Sequence, residues 1–182
     1  MTDDVTLRDQ IRAEISGIVP FDDVEREHQA ETLGWVESGA ELFRRAKPAT
    51  PAKHLVAYFA VVDAGHILLV DHRNAQLWLP AGGHVEPGEH PRATVVRELA
   101  EELGFTPDHA IGAPVMLTCT TTVGLTAGHV DVSLWYVVRA PRGQAMRFDA
   151  GEFHGIRWFA FDQAPLGRSD PHMGRFIAKL GR

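Results

Sequence analysis

The chain has 182 residues, 45% hydrophobic and 23% charged, the balance of a soluble globular protein with one substantial core plus an extension. Its formal net charge of −6 excludes a broad surface for extended nucleic acid. It leaves room for single nucleotides, whose phosphates a metal and a few Arg or Lys can meet.

The start, MTDDVTLRDQ, lacks the basic region and apolar run of a signal peptide. No apolar run reaches membrane-spanning length. The expectation is a cytoplasmic protein with no membrane partner. Residues 5–17 place Leu7, Ile11 and Ile15 four apart and end on Gly17, which predicts a short amphipathic helix. After Pro20, Asp22 or Asp23 can cap a second helix running to about Ser38. Its apolar residues are Val24, Leu33, Trp35 and Val36, and Gly39 is its stop. A further turn over 40–45 leads into KPATPAK, whose prolines mark a linker. Residues 1–50 thus read as a helical extension packed on a core of 51–182, as a flap or a homodimer contact. A sharper alternative closes Trp35, Phe43 or Arg44 over the substrate.

Two β-rich runs, 54–63 and 66–72, flank Ala64-Gly65 and predict a hairpin. A strand over 77–86 follows, ended by Pro80, Gly82 and Gly83, where backbone can approach a ligand closely. Pro91 suits the first position of a helix and Gly104 the left-handed position past its end. At about 100° per residue, Val95, Val96, Leu99 and Leu103 gather on one side. Strands over 114–124 and 129–140 flank a Gly-rich turn. A last strand covers 156–162, and Pro171 introduces a C-terminal helix with Phe176, Ile177 and Leu180. This order predicts an α/β fold, a mixed β-sheet sandwiched between helices. The lone Cys119 excludes an internal disulfide and reads as a small apolar strand residue.

The helix after Pro91 carries the chemistry. Glu98, Glu101 and Glu102 stand at i, i+3 and i+4, so their carboxylates share a face and repel. A cation turns that penalty into a site. Oxygen ligands with no nearby thiolate favour Mg²⁺ or Mn²⁺ over zinc. The ten histidines are scattered, without HExxH or paired Cys/His spacing, so no zinc site is expected. His84 and His129 can touch phosphate or base. Trp78 and Trp135 can stack on a nucleobase or pack in the core.

Gly83, Glu89, Arg97-Glu98-Leu99 and Glu101-Glu102-Leu103-Gly104-Phe105 match Gly-x5-Glu-x7-Arg-Glu-U-x-Glu-Glu-x-Gly-U, with U bulky and apolar. The chain therefore resembles the Nudix hydrolases, and its strand pattern extends the resemblance over roughly residues 54–165. The resemblance implies an α/β/α sandwich and Mg²⁺- or Mn²⁺-dependent hydrolysis of a nucleoside diphosphate linked to another group X. It implies metal ligands at Glu98, Glu101 and Glu102, with Glu89 assisting and Gly83 offering its carbonyl. It also implies Glu98 as general base, braced by Arg97. Some relatives take the base from a later loop, here 143–152, which makes Glu152 the outside candidate and Asp149 a weaker one. A non-nucleotide diphosphate substrate or a non-catalytic nucleotide sensor are the alternatives. The cysteine of isopentenyl diphosphate isomerases precedes the box, whereas Cys119 follows it. The downstream pattern of NADH pyrophosphatases, the upstream one of coenzyme A pyrophosphatases and the proline of ADP-ribose pyrophosphatases are missing, so no substrate is read.

Overall fold

The computed structural model describes residues 6–47, 50–123 and 128–181. Pro48 of the expected linker and Gly124 of the expected turn lie outside these residues. Helix α1 (Leu7–Gly17) starts where Thr6 Oγ1 accepts from Asp9 N, and it buries Ile11 and Ile15, as their spacing requires. Helix α2 (Asp23–Glu37) is capped by Asp22, whose side chain accepts from Glu25 N at 2.9 Å. Its inward face differs from the apolar pattern: Val24 is exposed, while Glu25, Thr32 and Val36 are buried. Residues 40–45 form no helix; Leu42 is buried and its carbonyl accepts from Leu55 N.

Strands β1 (Lys53–Asp63) and β2 (His66–His72) form the expected hairpin, with Ala64 and Gly65 both at positive φ. Pro80 divides the next expected strand into β3 (Leu77–Leu79) and β4 (Ala81–His84), because proline cannot donate to a sheet ladder. Helix α3 (Pro91–Leu103) is followed by β5 (Met116–Thr121), β6 (Val130–Arg139) and β7 (Phe153–Ala160). Strand β7 begins three residues before the expected start. Helix α4 (Met173–Leu180) closes the chain and buries Met173 and Phe176.

Strand β1 is the axis of a seven-stranded mixed sheet. It runs parallel to β6, from Lys53↔Val130 to Val62↔Arg139, and β5 pairs antiparallel with β6. On its other edge β1 pairs with β4 and then with β2, which also carries β3 and β7. Alternation along β1 sorts the core. Leu55, Ala57, Phe59 and Val61 pack with residues of α1, α2 and α3, whereas Ala60 and Val62 pack with α4. Trp135 is fully buried and donates to Thr118 Oγ1 at 2.9 Å. It sits between Tyr58 and Phe176, so it is a core residue and no platform for a base. Trp78 likewise meets Phe159 edge-on.

The β5 edge is closed by α2 side chains: Glu25 accepts from Leu117 N and His28 Nδ1 from Cys119 N. Unpaired edge groups are thereby satisfied without another strand. Asp22 ties the start of α2 to α4, because Arg175 donates to both its oxygens. Those hydrogen bonds outweigh burial and hold the Asp22 carboxyl down at about 2, against an ordinary 3.8. A depressed carboxyl contributes stability that is present above the unfolded value and lost as pH falls through the folded one. Asp22→Asn is expected to keep the cap but flatten the acid limb between pH 3.8 and about 2, read by urea melts across that range. Asp22→Ala also loses the cap, worth about 1 kcal/mol.

Candidate active site on the acidic face of α3

The site begins with how α3 is delimited. His90 Nδ1 accepts from Arg92 N, Pro91 occupies the first turn, and Gly104 ends the helix in the left-handed region. Val95, Leu99 and Leu103 are buried, but Val96 is 40% exposed, so the apolar stripe is narrower than its spacing predicts. The three carboxylates next to it are graded by depth. Glu102 is buried, Glu98 half-buried and the Glu101 side chain 62% exposed.

The two glycines of β4 face different neighbours. Gly82 lies at φ +150°, where a Cβ would strike Ala57 O and Tyr58 Cα of β1. Its N–H donates to Glu102 Oε2 at 3.0 Å. At Gly83 a Cβ would overlap the Glu98 carboxylate. The bare backbone is what lets this turn lie against the acidic helix. Gly83→Ala is accordingly expected to displace Glu98 and cost activity while leaving the melting temperature within a few degrees. Full activity in that variant would show that Glu98 is not held where function needs it.

Arg97 organises the acidic face. Its guanidinium donates from Nε and Nη2 to the two Glu89 oxygens, both at 3.0 Å, and from Nη1 to Glu98 Oε1 at 2.6 Å. It also reaches Glu101 Oε2 at 3.3 Å and the His84 carbonyl at 3.3 Å. Glu89 further accepts from Thr94 Oγ1 and Glu86 N. Burial works against its charge, yet these bonds hold the Glu89 carboxyl below its usual range. Both Glu89 oxygens accept from Arg97, so Glu89 orients its guanidinium. Burial pushes Glu98 up, with Arg97 opposing, and pushes Glu102 up to about 9, helped by the neighbouring Glu98 charge.

The loop before β7 is docked on the end of α3: Asp149 N donates to Glu102 O and Arg147 N to Leu103 O, both at 3.0 Å. Glu152 follows on the rim of the same cleft, and its charge adds to the upward push on Glu98 and Glu102. Asp149 instead closes a turn by accepting from Gly151 N. The cleft, about 830 Å³, is lined by Glu98, Glu101, Glu102, Glu152, Arg44, His84 and Asp131, among others. Of the residues proposed to close over a substrate, Arg44 reaches this cleft, whereas Trp35 and Phe43 pack against the core.

The model of the NUDIX domain matches residues 53–180, well over half of the chain. The chain belongs to the Nudix family. Among curated proteins, the "Putative 8-oxo-dGTP diphosphatase" of Bacillus subtilis (strain 168) is 30% identical over 104 residues, 57% of this chain. The matched stretch spans 64% of that relative's length. Among solved structures, a MutT NUDIX hydrolase from Burkholderia pseudomallei is 24% identical with a TM-score of 0.56, covering 70% of this chain and 98% of that one. The MutT protein of Methanosarcina mazei Go1 is 19% identical with a TM-score of 0.58, covering 71% and 94%. The E. coli ORF135 protein is 28% identical with a TM-score of 0.51, covering 69% and 89%.

This Nudix chain therefore has the fold its box implies. Nudix enzymes use divalent metal ions, and the acidic face fits one: two carboxylates raised by burial, Glu102 also by the Glu98 charge, lie beside a glycine turn that no side chain can fill. Sequence spacing missed a second grouping altogether. His54, His84, His129 and Asp131, which showed no metal-binding pattern, offer ligand atoms all within 4.8 Å of one another. Strand pairing brings them together, and a linear motif cannot show it. No helix among the described residues is long and apolar enough to cross a membrane.

Proposed function

We propose that the chain hydrolyses a phosphoanhydride bond of a nucleoside diphosphate linked to another group, with Mg²⁺ or Mn²⁺ held by Glu98, Glu101 and Glu102. The Gly83 carbonyl and, more remotely, Glu89 complete the set. The observation that carries this reading is that Glu98 and Glu101, bonded to Arg97, and Glu102, bonded to Gly82 N, line one nucleotide-sized cleft. Bound there, the cation would acidify water and draw charge from phosphate oxygens. Glu98 takes the proton of the attacking water. Its Oε1 is engaged by Arg97, which leaves the lone pairs of Oε2 to serve the cation and that proton. Arg97, fixed by Glu89, keeps the carboxylate oriented. Glu152, on the loop docked to α3, is the second candidate base.

Arg44 brings a cation to meet phosphate, and Leu77 and Val123 give the apolar surface a base needs. An oxidised deoxynucleoside triphosphate, as in the name of the Bacillus subtilis relative, is the first compound to test. Residues 1–50 serve as an extension packed on the unit of 51–182. Ile11, Ile15 and Val36 join its core, and Glu14 accepts from Tyr136 Oη at 3.1 Å and from Arg92.

The test is a turnover screen with Mg²⁺ and Mn²⁺. The panel holds NTPs, oxidised dNTPs, ADP-ribose, nucleotide sugars, dinucleotides, coenzyme A and prenyl diphosphates, with products read by mass. Turnover of a nucleoside compound is the expected result. Turnover of prenyl diphosphates alone would overturn the substrate class.

A further inference from the structure

Four side chains able to bind a metal meet on one face of the sheet. In the parallel β1/β6 register His54 lies opposite Asp131, and in the β1/β4 register Val56 lies opposite His84. Residues two apart share a face, so His54, His84, His129 and Asp131 project to the same side from three adjacent strands. Thr120 of β5 pairs with Asp131 on that face as well.

What they place there is a surplus of acceptors. His54 is completely buried and its Nδ1 lies 2.8 Å from the Pro51 carbonyl. A carbonyl only accepts, so Nδ1 carries a proton, and in the neutral ring Nε2 presents a lone pair. That Nε2 points at Asp131 Oδ1, 3.3 Å away, itself an acceptor. His129, 3% exposed, directs Nε2 to the same oxygen at 3.2 Å, with Nδ1 on Thr122 Oγ1. Nε2 of His84 stands 3.9 Å from it. Among the described residues, His54 Nε2, Asp131 Oδ1 and Thr120 Oγ1 are buried without a hydrogen-bond partner. Such groups are rare in folded proteins and ask for an ion, a water or an added proton.

We propose that His54, His84, His129 and Asp131 hold a divalent transition-metal ion of the Zn²⁺ type, separate from the carboxylate site on α3. Three arguments support it. A tetrahedral ion with ligand arms of about 2.0–2.1 Å holds its ligands about 3.3 Å apart, which matches the His54–Asp131 and His129–Asp131 separations of 3.3 and 3.2 Å. Three imidazoles and one carboxylate suit Zn²⁺ and not Mg²⁺, which takes oxygen ligands. The outer ring nitrogen of His54 is also anchored on a backbone carbonyl, as metal-bound histidines usually are.

Arg44 Nη1 lies 3.2 Å from His84 Nε2. Filling the site would turn Arg44 out into the cleft it lines. Because β4 carries both His84 and Gly83, the ion would also pin the glycine turn against α3.

The experiment uses the full-length chain, stripped with a chelator and titrated with Co²⁺ and then Zn²⁺ in excess Mg²⁺ to saturate the carboxylates. The expected result is one equivalent of Co²⁺ with the intense visible absorption of a four-coordinate site, displaced one for one by Zn²⁺. Glu98→Gln and Glu101→Gln should retain this signal, and His54→Asn and Asp131→Asn should lose it. His84→Asn, at the solvent-facing edge, guards against misfolding of the buried variants and should weaken Zn²⁺ binding at least ~10-fold. Weak octahedral Co²⁺ absorption, or binding that Mg²⁺ competes away or Glu98→Gln abolishes, would overturn the proposal. So would imidazole ¹⁵N shifts that report protonated Nε2 on His54 and His129 and do not respond to Zn²⁺, since a proton-bridged cluster would then satisfy Asp131.

Discussion

Glu98→Gln is expected to lower turnover at least ~10²-fold in a protein that still folds. The substitution keeps side-chain volume, and Arg97 Nη1 can still donate to the amide oxygen that replaces Oε1. Gly83 beside it lacks the Cβ that would crowd the new group. What is lost is a charge near the cation and a lone pair able to take a proton. The stability of the metal-free protein should not suffer, because Glu98 is a carboxylate that burial already disfavours as an ion. Steady-state kinetics paired with a thermal melt separates the two effects. Near-wild-type turnover with a normal melt would move the base to Glu152, whose own Gln variant would then carry the loss.

Glu25→Ala is expected to cost about 3–5 kcal/mol of folding stability, the usual result of removing one partner from a buried charge pair. Glu25 has no exposed surface. One oxygen takes Lys179 Nζ at 2.7 Å and Leu117 N at 3.2 Å, and the other takes Phe21 N at 2.7 Å. It thereby joins α2, β5 and α4. Truncation strands the Lys179 ammonium, whose side chain is 14% exposed, and leaves the Leu117 amide unpaired on the sheet edge. Against a typical total of 5–15 kcal/mol, that loss should be plain in urea unfolding. Glu25→Gln, which keeps an acceptor, should cost less. A loss under about 1 kcal/mol for the Ala variant would mean that water replaces the carboxylate.

The order of elements and the α3 motif were legible because each rests on local chemistry. Pro91 and Gly104 delimit α3 by backbone preference, and the carboxylate spacing follows from helical periodicity. What the sequence hid is non-local. Glu25 lies in a helix whose apolar residues pointed elsewhere, and only contact with β5 and α4 explains its burial. The division of labour around Arg97 depends on how far the 83–89 loop reaches back, which spacing does not state. The histidine cluster draws on positions 54, 84, 129 and 131, and strand register, not sequence proximity, assembles it.

The most direct test of the central claim follows hydrolysis of the best nucleoside substrate in ¹⁸O-water with Mg²⁺, with chelator, and with Mg²⁺ restored. Metal-dependent turnover that puts one ¹⁸O into a phosphate-bearing product, and that is lost in Glu98→Gln, is the predicted result. Turnover indifferent to the chelator, or the absence of turnover for every nucleoside diphosphate derivative in either metal, would contradict it.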